Sequence, residues 1–347
     1  MCVKTEELLA ARALPPLLLA EGKADRDGML RLLESEVYGT APDAPPEVRV
    51  SEQKCREKEF AGKGTMRELT LSFDTERGKF SFPVVEVRPN GVTGKCPVFV
   101  VLNFRPDVPD KYLPVEEILD AGCALVRVYY NDVAYDGDDG FTGGIAATYD
   151  REKYTWGKIR MWAFAASRVM DYLQTAAYAD PSRIAVAGHS RLGKTALLTA
   201  ALDERFSLAC VNNSGSTGAA LSREKGGETV RDITTRFPYW FCENYKKYAD
   251  REAQMPFDQH FLIAAVAPRR VAVGTAQEDA WADTDAQYLA CCAASPAWEL
   301  LGKKGFVHPD RLPQPGDFFS AGGIAFHLRE GTHFFSRDDW HCYLSLI

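Results

Sequence analysis

At 347 residues and 46% apolar content, the chain is long enough to bury one large α/β core or two ordinary ones. Its formal charge of -7 gives no basic footprint for nucleic acid, and no apolar run is long enough to cross a bilayer. Nine cysteines without a Cys-x-x-Cys pair read as reduced structural thiols; the early glutamates and Pro15-Pro16 argue against a secretory leader, so a cytoplasmic protein is expected, or a secreted one if a leader has been removed.

Residues 1 to about 60 read as an extension wrapped around the rest, with a helical stretch around Asp27 to Val37 and the proline-rich Ala41-Pro42-Asp43-Ala44-Pro45-Pro46. From Arg67 to Asp74 and from Lys79 to Arg88, apolar and polar residues alternate about a charged, glycine-containing turn, which predicts a hairpin. Cys96 to Asn103 and Cys123 to Tyr130 are apolar runs flanking a helical segment near Pro114 to Ala121. Strands of that kind are buried on both faces of a parallel sheet. Asn103-Phe104-Arg105 then falls at a strand exit, where an oxyanion donor can arise. Asn131 to Tyr154, rich in Asp, Gly and Tyr, reads as a long surface loop, and Lys158 to Tyr178 as a helix. Further strands are expected at Ser207 to Asn213, Arg269 to Ala276 and Gly323 to Arg329. No repeat or linker divides the chain, so one domain over 1–347 is expected: an α/β fold with a mostly parallel sheet between helical layers.

The organising stretch is Arg183 to Leu198, an apolar run, the turn Gly188-His189-Ser190, and a small-residue helix. Such a turn thrusts its serine out at the top of a sheet beside the first N–H groups of a helix, which makes Ser190 the candidate nucleophile. The usual second glycine is replaced by Leu192. A rival reading takes Gly188 to Thr195 as a phosphate loop, with Lys194 on phosphates, Thr195 on magnesium and Asp132 as a weak metal-binding acid.

A serine nucleophile needs a base and an orienting acid. Of six histidines, His189, His260, His308 and His327 have structural explanations; the ring of His189 should point away from Ser190. His333 follows a strand end near the C-terminus, where the last member of the order Ser, acid, His belongs. His341 is the reserve, on a helix that Asp338-Asp339-Trp340 places at the surface. Asp279 suits the acid, with Glu278, Asp283 and Asp285 as competitors.

Four separated motifs resemble the glucuronoyl esterases, carbohydrate esterase family 15. These are α/β-hydrolases that cleave 4-O-methyl-glucuronate esters joining xylan to lignin alcohols. The motifs are Gly188-His189-Ser190-Arg191-Leu192-Gly193-Lys194, Gly227-Glu228-Thr229, Glu278-Asp279-Ala280-Trp281-Ala282-Asp283 and His327 to His333, within a resemblance running from about Pro97 to Trp340. The resemblance implies Ser190 as nucleophile, His333 as base, Asp279 as acid and Arg191 as the cation facing the oxyanion. It also implies that Lys194 and Glu228 hydrogen-bond sugar hydroxyls, that Trp281 packs on the sugar, and that no metal or organic cofactor takes part. Where some members carry a glutamate acid, this chain has Asn213, so the orienting load should fall on Asp279. The expected partner is a carbohydrate ester such as a glucuronoxylan fragment; acetylated xylan, or binding without turnover, are the alternatives.

Overall fold

The computed structural model describes residues 4–224 and 226–347. The chain begins with α1 (Thr5–Ala11), a ribbon of β1 (Leu19–Ala20) and β2 (Lys23–Ala24), and α2 (Arg26–Leu33), which continues as a π-helical turn to Tyr38. Asp25 caps α2 by accepting the Gly28 N–H, and Met29, Leu33 and Val37 sink one stripe into the main core. An antiparallel meander follows: β3 (Arg49–Glu59), β4 (Gly64–Thr75) and β5 (Gly78–Pro89). Then come β6 (Cys96–Asn103), α3 (Val115–Asp120), β7 (Ala124–Tyr129), α4 (Lys158–Leu173), β8 (Ala179–His189), α5 (Arg191–Leu202), β9 (Leu208–Asn212), α6 (Val230–Arg236) and α7 (His260–Ala264). The last elements are β10 (Arg270–Ala276), α8 (Thr284–Ala294), α9 (Pro296–Glu299), β11 (Phe318–Phe319), β12 (Ile324–Arg329) and α10 (Arg337–Leu344).

Among the described residues, β3 to β12 form a ten-stranded sheet in the order β11-β12-β10-β9-β8-β6-β7-β5-β4-β3. From β12 to β7 the neighbours are parallel, and both ends of the sheet are antiparallel. Side chains of the central strands alternate between two cores. Val98, Val100 and Leu102 meet residues of α2, α4, α5, α7 and α8, whereas Phe99 and Val101 meet residues of α3 and α10. Helices therefore cover both faces, as in α/β-hydrolases. Burial on two sides explains why these strands read as largely apolar runs with little alternation.

Three expectations are corrected. Residues 49–59 belong to the sheet as its edge strand β3, so the wrapped extension ends before Arg49; this strand is mostly exposed and polar and shows no alternation. Residues 131–154 are not simply a surface loop, because Val133, Ala134, Ile145 and Ala146 are buried in the main core. Helix α10 has an exposed face carrying Arg337, Asp338 and His341, as a surface helix should, but Asp339, Trp340 and Tyr343 are fully buried rather than outward. Asp339 is carried inward by Arg329 and His327, whose nitrogens lie 2.9 and 2.7 Å from its oxygens. Among the described residues, no helix is long and apolar enough to cross a membrane, and the cysteines are free thiols.

Candidate active site

The carboxyl ends of four parallel strands supply the site: Ser190 follows β8, Asn213 follows β9, Asp279 follows β10 and His333 follows β12. Ser190 has φ 58° and ψ -126°, a conformation that costs on the order of 1–3 kcal/mol for a residue with a side chain. Its backbone is held on both sides, the N–H donating to Asn212 O at 2.9 Å and the carbonyl accepting from Lys194 N at 3.0 Å. Two glycines make the turn sterically feasible. A Cβ on Gly188 would collide with the Leu192 carbonyl, and one on Gly193 would lie 2.8 Å from Asn212 O. The close approach to β9 thus falls one residue later than the usual pattern, and Leu192 is fully buried instead.

His333 Nδ1 lies 2.6 Å from Asp279 Oδ2. A carboxylate only accepts, so Nδ1 is a donor, and in the neutral tautomer this selects the lone pair lies on Nε2. Asp279 Oδ2 also accepts from Asn213 Nδ2 at 2.7 Å, and Oδ1 from Ala282 N at 3.3 Å. Burial disfavours the charged carboxylate, but the hydrogen bonds from His333 and Asn213 prevail and hold its pKa below the usual range. The competing acids are placed elsewhere. Glu278 and Asp285 are exposed, and Asp283 caps α8 while accepting from Gly226 N at 2.8 Å. Arg329 shapes the loop that carries His333, donating to the carbonyls of Glu330, Thr332 and Phe334.

The remaining histidines have structural partners: His260 meets Pro15 O at 3.1 Å, His308 meets the Tyr288 hydroxyl at 2.8 Å, and His327 meets Asp339. His341 is exposed. His189 is buried, with its Nδ1 donating to Asn212 Oδ1 at 2.7 Å and its ring centre 4.4 Å from that of His333. Burial, with the neighbouring His333, pushes His189 down to about 3, and burial pushes His260 down to about 4. An unfolded histidine titrates near 6.5. Between those values the unfolded chain binds protons that the fold refuses, so stability should fall as pH drops from about 6.5 to 4, by about 1.4 kcal/mol per unit for each ring. Urea unfolding across that range measures the slope. His260→Gln should remove one ring's share, and an unchanged slope would show that His260 is not a source.

Ser190, Asp279 and His333 open into one cavity of about 330 Å³ together with Arg191, Lys194, Glu228 and Trp281. Every site residue expected from the sequence is on its wall. Lys194 and Glu228 are buried, 3.7 Å apart, and Lys194 also donates to Ser214 O. Trp281 is 46% exposed, which places it at the cavity mouth rather than in the core. Arg191 donates to Asp136 and has its guanidinium carbon 4.6 Å from the Trp240 ring centre, while its Nε is buried with no hydrogen-bond partner among the described residues. The phosphate-loop alternative does not fit, because Thr195 spends its hydroxyl on Arg191 O at 2.9 Å and Lys194 faces Ser214 and Glu228. Asn103 braces a strand exit, donating to Asp110 and accepting the Phe104 N–H at 3.0 Å, so that N–H is already engaged. Among the described residues, no three His, Cys, Asp or Glu side chains are grouped so as to hold a metal ion.

Sequence reasoning missed Arg236, Phe237 and Trp240 on the cavity wall, and Asp136 behind it. The only sequence signals were an aromatic cluster, Phe237-Pro238-Tyr239-Trp240-Phe241, and the length of the 131–154 segment.

A mostly parallel sheet that gathers these groups at its strand ends defines the class: an α/β-hydrolase acting on carboxylic esters. A family profile described as glucuronyl esterase, fungi, matches residues 71–302. A carbohydrate esterase, MZ0003, from an unknown prokaryotic organism is 34% identical, covering 92% of this chain and 82% of its own. A 4-O-methyl-glucuronoyl methylesterase from Podospora anserina is 29% identical, over 78% of this chain and 54% of its own. The solved glucuronoyl esterase from Solibacter usitatus superposes with a TM-score of 0.87 at 32% identity, covering 96% of this chain and 97% of its own. The chain belongs to the glucuronoyl esterase family.

Proposed function

We propose that the protein hydrolyses 4-O-methyl-glucuronoyl esters of the xylan–lignin type through an acyl-enzyme on Ser190. The observation that carries this reading is the 2.6 Å contact of His333 Nδ1 with Asp279, on the wall of the cavity that Ser190 enters. His333 Nε2 takes the Ser190 proton as Oγ attacks the uronate carbonyl. Arg191 and the backbone N–H groups at the start of α5 meet the developing oxyanion. Collapse breaks the bond to the alcohol, and His333 returns its proton to that oxygen. Water activated by the same imidazole then attacks the acyl carbon, releasing glucuronate and regenerating Ser190.

Lys194 and Glu228 bind sugar hydroxyls in this scheme, and the exposed face of Trp281 packs on the pyranose. Two assays test the proposal. A serine-directed phosphonate should label wild type on Ser190 and leave Ser190→Ala unlabelled; absence of label would leave only carbohydrate binding. Turnover of a benzyl glucuronate ester should exceed that of an acetylated xylo-oligosaccharide, because only the former puts the ester carbonyl on the uronic acid. The reverse preference would replace the glucuronoyl substrate with an acetylated one.

A further inference from the structure

The geometry points to Asp136 as a positioning residue for Arg191, an assignment that rests on reading Arg191 as the partner of the oxyanion. Asp136 lies between β7 and α4, and its side chain is 5% exposed, behind the cavity wall. Both carboxylate oxygens are engaged. Oδ2 accepts from Arg191 Nη1 and from the Tyr130 hydroxyl at 3.1 Å; Oδ1 accepts from the Trp240 indole at 2.7 Å. Burial and the adjacent Asp136 raise the Tyr130 pKa, so that hydroxyl remains a donor.

The backbone carrying Asp136 is wound about a single buried cation. Lys158, in the first turn of α4, is 1% exposed and donates to the carbonyls of Tyr135 and Gly137 and to Asp139 Oδ1. Those two carbonyls flank Asp136 in sequence. The ammonium thereby holds the segment in the shape from which the carboxylate reaches Arg191.

Held by Asp136 at Nη1 and by the Trp240 ring, the guanidinium leaves its buried Nε without a hydrogen-bond partner among the described residues. A mobile arginine would have to be ordered as negative charge develops, whereas one already fixed gives its full stabilisation in the transition state. Asp136 also offsets part of the positive charge of Arg191, so the two effects oppose one another. Charge alone predicts that removing Asp136 raises turnover; positioning predicts that it lowers it.

The test is a double-mutant cycle of Asp136→Ala and Arg191→Ala, reading kcat and KM on a benzyl glucuronate ester together with the melting temperature. Asp136→Ala should lower kcat roughly 10–100-fold with KM within about threefold, and should have almost no further effect once Arg191 is alanine. Asp136→Asn, which keeps the side-chain shape, should lower kcat about tenfold and serves if the alanine variant fails to fold. Unchanged or raised kcat in either Asp136 variant, or losses that multiply independently of Arg191, would overturn the assignment alone. Unchanged kcat in Arg191→Ala would overturn the oxyanion reading and this assignment with it.

Discussion

Asp279→Asn should lower kcat on a glucuronate ester by about four orders of magnitude with little change in KM. The carboxylate serves His333 and Asn213 on one oxygen and the Ala282 N–H on the other. An amide cannot do both. With its oxygen toward Ala282, its NH₂ faces the imidazole; turned round, it sets the NH₂ against the Ala282 N–H. The first arrangement wins because Asn213 can rotate its own amide to accept, its Oδ1 having no hydrogen-bond partner among the described residues.

His333 Nδ1 then becomes an acceptor, and the ring proton moves to Nε2. The imidazole faces Ser190 with a donor where an acceptor is needed, and the charge that stabilises the imidazolium is gone. Asn213→Ala is the matched control, since it removes one donor and keeps the carboxylate; its loss should stay under about tenfold. Steady-state kinetics on both variants, with thermal melting to check folding, decide the matter. An Asp279→Asn enzyme within tenfold of wild type would place the orienting acid elsewhere.

What could be read from the sequence divides along the range of the forces involved. The parallel strands were legible because burial on two faces leaves largely apolar runs; strand ends and chain order only narrowed the acid to Asp279 and its neighbours, and the resemblance singled out the Asp279 and His333 that the fold brings together. Strand β3 was not, since an exposed polar edge has no alternation to detect. Asp339 reads as a surface acid until the fold brings His327 and Arg329 against it. Asp136 is hidden for the same reason. Its partners Arg191 and Trp240 lie 55 and 104 residues away, and no local pattern reports a pairing made only in the folded chain. Trp281 shows a subtler gap: its type suits core and exposed platform alike, and only its exposure in the fold removes the core reading.

Arg191→Ala should lower kcat by about 10²–10³ and leave KM nearly unchanged, because the role proposed for it arises only when the carbonyl oxygen becomes an alkoxide. The guanidinium carbon lies 4.6 Å from the Trp240 ring centre and 5.3 Å from that of Phe237. Asp136 holds one end nitrogen, and Nε is buried with no hydrogen-bond partner among the described residues. A planar fork can keep Asp136 on one nitrogen while another donates to the oxyanion. A lysine ammonium is a single point of charge that must choose between them, and the buried carboxylate is always present to claim it. Arg191→Lys should therefore recover less than about tenfold of the alanine loss, although the charge is conserved. The sugar contacts proposed for Lys194, Glu228 and Trp281 are untouched by these changes, so kcat and kcat/KM should fall together. A variant whose KM rises while kcat holds would assign Arg191 to ground-state binding of the uronate and leave the oxyanion to backbone donors alone.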